Sequence, residues 1–368
     1  MASRTNGAKA APTIVVIGLQ ELLAQTNSTT RVLLVAREWP GSFPGSPSQH
    51  SANYASMWAG AHVRPIPATT EQLRTEAAWL KESAAEFEKQ RQAEPWCGIT
   101  RTLGVEYLEA PDEGYAKQTK DSFTQATGLQ GYREYSSSEL PAEVRLGFEY
   151  QTYCINAPLY CQSLLRKFIL QGGKTLQRGL AGEWEAFQLC ENVQIVINAS
   201  GTGFGDSKCF PIRGQTVLTN MSSATRTVTR QNKDGSWNFI IPRFFSGGTV
   251  VGGTKQPGNW SVEPDMDTRK TLLAAGRKLR PYAEEPQNQS QNSTDGEIGV
   301  ITDIVGRRPA REGGMRIELD TNTAGPHKGK LIHAYGAGGR GYEISWGAAN
   351  QVAKLAAPLI LGQSGSKL

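Results

Sequence analysis

The residues of this chain best suited to chemistry are an arginine and a run of glycines. Arg308 sits in Gly306-Arg307-Arg308-Pro309-Ala310-Arg311. A guanidinium offers two parallel N–H donors matched to a carboxylate and keeps its charge when desolvated. On residue type alone, Arg308 reads equally as a carboxylate anchor or as one half of a structural ion pair in an Arg-rich turn. Arg307 and Arg311 read as surface or structural. Gly336, Gly338, Gly339 and Gly341 punctuate the approach to a helix. Bare backbone there lets N–H groups come close to a flat anionic ligand. An ordinary Gly-rich turn is the alternative, with Tyr342 and Trp346 as core residues. Glu38 follows an apolar run, about twenty residues past Gly18, where dinucleotide folds place an acid on a ribose hydroxyl. A solvated acid at a strand end is the other reading.

Composition excludes several classes. The chain has 368 residues with 38% hydrophobic, 20% charged and 40 glycines, which describes a loop-rich globular protein. The net charge of +5 is mild and spread along the chain, and no basic block carries interleaved aromatics, so nucleic acid is not an expected partner. Five cysteines form no Cys-x-x-Cys, and four histidines have no metal-ligand spacing. Neither a disulfide framework nor a metal centre is expected. No apolar run reaches membrane-spanning length. Met1 to Gly7 lacks a hydrophobic signal region, so secretion is not expected and the Asn-x-Ser/Thr triplets read as silent. Ser366-Lys367-Leu368 is the tripeptide read by the peroxisomal import receptor, and a polar, Gly-rich run precedes it. The expectation is a protein of the peroxisomal matrix with a flexible targeting tail over 362–368.

The elements that must position these residues follow from periodicity. Ile14-Val15-Val16-Ile17 reads as a buried parallel strand, 19–25 as a helix and 31–36 as a second strand, together a βαβ unit. The spacing predicts helices over 69–91, 158–172 and 348–361, and a further buried strand over 193–198. Short strands at 216–218, 239–241 and 249–251, separated by turn residues, predict an antiparallel sheet. Residues 40–56 and 284–296 read as loops, the second a polar surface insertion. The fold class is therefore α/β (α+β).

Several stretches in order carry a resemblance. They are Met57-Trp58-Ala59-Gly60-Ala61-His62, Asn198-Ala199-Ser200-Gly201, Pro211-Ile212-Arg213-Gly214-Gln215, Ile240-Ile241-Pro242-Arg243, the Gly306 to Arg311 run and His333 to Tyr342. Together they span most of residues 14–350 and resemble the FAD-dependent D-amino-acid oxidase family in its fungal branch. The resemblance implies a Rossmann-like FAD-binding domain from 13–70, 150–215 and 300–361. Residues 71–149 and 216–299 would form an interleaved substrate domain with a mixed or antiparallel sheet. It implies oxidation of D-amino acids to 2-oxo acids, ammonia and hydrogen peroxide, with oxygen as acceptor and possible homodimers. Arg308 would hold the substrate carboxylate, with Gly339 and Phe239 beside it. Gly18, Ala36, Arg37, Glu38, Ser51, Ser56, Trp58, Leu180, Ser200, Gly338, Gly339, Arg340, Gly341 and Tyr342 would surround FAD.

The chain departs from that family in two places. The phosphate-binding Gly-x-Gly-x-x-Gly is reduced to Gly18, with about ten residues absent, so weak FAD binding or a non-catalytic family member is one expectation. Phe239 stands where the family has a tyrosine, and no tyrosine occurs from Thr219 to Phe239. Arg226, Arg230 and His62 are the added basic groups that would favour a second carboxylate, as in a D-aspartate oxidase. Surface charge on a hairpin is the alternative for the two arginines.

Overall fold

The computed structural model describes residues 13–17, 31–41, 50–285, 298–322 and 325–361. Gly18, the 19–25 helix, most of the polar 284–296 insertion and the 362–368 tail lie outside them.

Two sheets organise these residues. The first has six strands: β1 (Thr13–Ile17), β2 (Arg31–Ala36), β6 (Lys174–Gln177), β7 (Val193–Asn198), β14 (Arg316–Leu319) and β15 (Leu331–Tyr335). Their order is β14-β15-β7-β1-β2-β6, parallel except for the β14·β15 pair. Near-continuous β-branched and Leu runs in β2 and β7 suit strands covered on both faces. The predicted strands over 31–36 and 193–198 are found with those bounds.

The second sheet has nine strands: β3 (Ile99–Leu108), β4 (Arg133–Glu134), β5 (Leu146–Ile155), β8 (Cys209–Thr219), β9 (Thr227–Gln231), β10 (Trp237–Pro242), β11 (Thr249–Gly252), β12 (Gln256–Pro257) and β13 (Val300–Arg311). The order runs β12-β8-β11-β10-β9-β3-β5-β4, with β13 on β8. All pairs are antiparallel except β3·β9. Residues 150–155, 209–215 and 300–311, grouped by sequence with the first domain, are thus strands of this second sheet. Arg308 lies within β13, not in a turn, because ten consecutive register pairs from Thr302 to Arg311 hold β13 against β8.

Eight helices occur among the described residues: α1 (Ala55–Trp58), α2 (Glu71–Ala93), α3 (Glu113–Ala116), α4 (Lys120–Thr127), α5 (Ala157–Leu170), α6 (Glu183–Ala186), α7 (Met266–Ala283) and α8 (Ser345–Leu361). Thr70 caps α2 by accepting from Leu73 N, and Asn156 caps α5 with Pro158 in its first turn. α8 begins where the buried Ser83 hydroxyl of α2 accepts from the N–H groups of Trp346 and Gly347, each at 3.1 Å. Gly347 permits that approach, since a Cβ there would strike the Trp79 backbone. α8 then buries Ala349, Val352 and Ala356 against β2, β7 and β15. α7 covers the far face of the second sheet, packing Leu279 and Ala283 against Ile240 and Val251.

Candidate active site

Alternation along the second sheet sends one set of side chains toward the six-stranded domain. Phe239 of β10 is opposite Gly252 of β11, Gly252 is opposite Thr216 of β8, and Thr216 is opposite Ile304 of β13. Two residues along, Gly214 is opposite Gly306, and Ile212 is opposite Arg308. All of these share a face. The strands carrying Phe239 and Arg308 are three spacings apart, about 14 Å. Their side chains close that gap. A Cβ at Gly252 would collide with the Phe239 ring, and a Cβ at Gly214 would collide with the Arg308 guanidinium. Both side chains therefore lean inward over glycines. Sequence reasoning quoted Gly214 inside a motif without reading this role. The available signal was a glycine alternating with Ile212 and Thr216 in an otherwise bulky strand.

Arg308 is short of partners. Its Nη1 donates to the Thr254 carbonyl at 3.3 Å, and no carboxylate of the described residues pairs with it. Burial lowers its pKa, and no acid opposes the shift. The neighbouring arginines differ. Arg311 donates through Nε to Asp206 at 2.8 Å, and Arg307 donates to the Trp260 carbonyl at 2.8 Å.

The glycine turn docks onto the same strand. Gly338 N–H donates to the Pro309 carbonyl at 2.8 Å, Gly336 N–H to the Gly201 carbonyl at 3.0 Å, and Ala337 bridges Ala310. Gly336 and Gly338 have φ of 88° and 60°, the left-handed region that favours glycine. A Cβ at Gly339 would lie 3.4 Å from Arg308 Cδ, so the turn and the guanidinium are neighbours. The N–H groups of Gly339 and Gly341 make no hydrogen bond among the described residues.

The remaining positions surround this junction. Trp58 Cβ would lie 3.2 Å from a Cβ at Gly306. Its indole Nε1 donates to the Ser51 carbonyl at 2.9 Å, and Ser51 donates through N and Oγ to Glu38 at 2.8 and 2.5 Å. Glu38, Ser51 and Trp58 thus form one connected group past the end of β2. Ala36 accepts from Arg178 N, and the exposed Arg37 lies near Gly179. Leu180 is buried with Val35 and Val196. Ser200 Oγ accepts from Gly203 N at 3.1 Å, and Tyr342 OH donates to the Ser56 carbonyl at 2.9 Å. The Arg340 side chain turns away toward Glu76, at 2.5 Å, and Glu343, at 3.1 Å, so only its backbone stays with the turn.

The three added basic groups are differently placed. Arg230 lies on the opposite face from Phe239, since Asn238 is its partner in β10, and it pairs with Glu109 at 2.6 Å. Arg226 pairs with Glu285 at 3.2 Å. His62 is half-buried, and burial, with Arg64 adding to it, pushes its pKa down to about 3. It is neutral, with Nδ1 2.7 Å from Thr227 Oγ1. The sequence reading of these groups as cations awaiting a second carboxylate is therefore corrected: two are already paired and the third is uncharged.

An FAD-sized group suits the donors left over. Asn198 Nδ2, fully buried at the carboxyl end of β7, has no partner among the described residues, and β7 lies beside β1. Together with the two free N–H groups of the turn it offers donors where a parallel sheet receives a dinucleotide. The profile of the family described as "FAD dependent oxidoreductase" matches residues 21–355. A D-aspartate oxidase from Talaromyces thermophilus is 44% identical over 309 residues, covering 83% of this chain and 80% of the relative. A D-amino-acid oxidase from Schizosaccharomyces pombe is 28% identical, covering 94% of each chain. Among solved structures, a glycine oxidase from Geobacillus kaustophilus superposes with a TM-score of 0.65 at 16% identity, again over 94% of each chain.

Proposed function

Because this chain belongs to the FAD dependent oxidoreductase family, we propose that it oxidises D-amino acids to 2-oxo acids, ammonia and hydrogen peroxide. The observation that carries the reading is Arg308, a guanidinium beside the glycine turn with one long hydrogen bond and no acid partner among the described residues. A substrate α-carboxylate supplies the missing anion in bidentate form. Bound FAD supplies the two-electron acceptor. The chain's share of the work is placement. Arg308 fixes one end of the substrate, and the Phe239 ring limits the face on which its side chain lies. Gly338 to Tyr342, Glu38, Ser51, Trp58 and Asn198 would hold the cofactor. Positioning of this kind accounts for large rate effects without a general base, and none is required of His62 or any carboxylate here.

An acidic side chain is the second reading, supported by the relation to the Talaromyces enzyme. Arg226, Arg230 and His62 do not provide its anchor, for the reasons of pairing, facing and charge given above. Peroxide formation from D-alanine, D-aspartate and their L-enantiomers by the FAD-loaded protein tests both readings. Turnover confined to D-enantiomers is expected. Absence of turnover with every D-amino acid, or full activity in Arg308→Met, would overturn the reading. Delivery to peroxisomes through Ser366-Lys367-Leu368 is part of the proposal. Loss of organelle targeting from a fluorescent fusion lacking the tripeptide checks it.

A further inference from the structure

The hydroxyl of Thr216 is left unused by this reading. Thr216 is 7% exposed, and its Oγ1 has no hydrogen-bond partner among the described residues. A buried hydroxyl in that condition is destabilising, and valine would have the same shape without the deficit. The methyl of Thr216 does have a place: it packs where Gly252 and Gly253 would carry a Cβ, beside the Phe239 ring. Thr216 shares the face of Gly214, two residues along β8 and so about 7 Å away between Cα atoms. The Arg308 guanidinium lies over Gly214 and is itself short of acceptors. Two deficits therefore sit side by side, a cation without an anion and a hydroxyl without a partner. A carboxylate has about four lone-pair sites, of which an arginine fork uses two. Phe239 contributes no hydroxyl to the rest.

Resting on the reading of Arg308 as the carboxylate anchor, we propose that the Thr216 hydroxyl donates a second hydrogen bond to the substrate α-carboxylate. Thr216 is then a binding residue, and its hydroxyl is retained at the expense of the unliganded fold. No bond is made or broken there.

Benzoate tests the assignment, because it has a carboxylate and a ring but no amine. Calorimetric titration of the FAD-loaded wild type is compared with Thr216→Val, Thr216→Ser and Arg308→Met. Thermal unfolding is followed without ligand. Thr216→Val is expected to weaken benzoate about 10- to 150-fold, the range of one hydrogen bond to a charged group, while raising the unfolding midpoint. Thr216→Ser is expected to stay within about twofold of wild type. If Thr216→Val does not fold, Thr216→Ala carries the same comparison of affinities. Wild-type affinity in the hydroxyl-less variants, with Arg308→Met weakened, would overturn the role of Thr216 alone. So would a serine variant as weak as valine. Unchanged affinity in Arg308→Met would overturn the anchor, and this proposal with it.

Discussion

Two arginines, Arg64 buried and Arg308 half-buried, face the same side of the nine-stranded sheet and live in opposite circumstances. Arg64 donates through Nε to both oxygens of Glu106, at 3.0 and 2.9 Å, and through Nη2 to Tyr115 OH at 3.2 Å. Its guanidinium also lies 4.4 Å from the centre of the Trp237 ring. Burial opposes its charge, but Glu106 outweighs that and holds the pKa above the usual arginine value. Among the described residues Arg308 has only the Thr254 carbonyl, and burial lowers its pKa. The difference separates architecture from readiness for a ligand. A cation whose counter-ion is built in holds segments together, here residues 42 positions apart in sequence. A cation without one is waiting for an anion from outside.

The sharpest way to break the comparison is to remove each guanidinium. Arg308→Met is expected to lower kcat/KM for a D-amino acid by about 30- to 5,000-fold, equivalent to about 2–5 kcal/mol. The unliganded protein should become no less stable, because an uncompensated buried charge has gone. Arg64→Met should do the reverse and destabilise folding by about 3–5 kcal/mol, since Glu106 is left buried without its partner. Urea unfolding of both variants decides between these outcomes. A destabilised Arg308→Met would mean that Arg308 is structural after all. The double variant Arg64→Met/Glu106→Leu should recover much of the stability lost in Arg64→Met.

Gly214→Ala sharpens the contrast without touching either charge. The added methyl would occupy the place of the Arg308 guanidinium. Overpacking of this kind costs about 1–3 kcal/mol. Here it should fall on substrate affinity as the flexible arginine is displaced, raising KM about 10- to 100-fold. Steady-state kinetics against D-alanine measure it. An unchanged KM would show that Arg308 reaches the substrate by another route.

Local signals made some of this legible and tertiary register hid the rest. The strands at 31–36 and 193–198 were readable because both faces are buried, so their composition alone marks them. α2 and α8 were readable from apolar spacing. β3 and β5 were not, because their polar residues are buried by partners elsewhere: Glu106 by Arg64, and Thr152 by the Val63 carbonyl at 2.5 Å. α7 was missed because a Lys- and Arg-rich sequence conceals an apolar stripe of only Leu272, Leu279 and Ala283. In the site, residue type named Arg308 as a carboxylate candidate but could not say whether an acid lay beside it. That depends on the pairing of β13 with β8, which puts Gly214 under the guanidinium and leaves no carboxylate of the described residues paired with it.

The smallest expected effect uses a second arginine on the same strand as control. Arg311 pairs with Asp206, which also accepts from Lys208 N at 2.9 Å and Tyr335 OH at 3.0 Å. Arg311 is the main cause that holds the Asp206 carboxyl at about 2, below its ordinary 3.8. In the folded state Asp206 therefore binds fewer protons than in the unfolded chain between these values. Its stabilisation is fully present above about pH 4 and is lost as pH falls through about 2. With water reaching the carboxylate, the contribution is about 1 kcal/mol. Wild type should thus lose about that much more stability than Asp206→Asn between pH 5 and 2, measured by denaturant unfolding. Arg308→Met should leave this acid limb as it is in wild type, because no carboxylate of the described residues depends on Arg308. An altered limb in that variant would mean that Arg308 has a built-in acid partner, and the distinction drawn between the two kinds of arginine would fail.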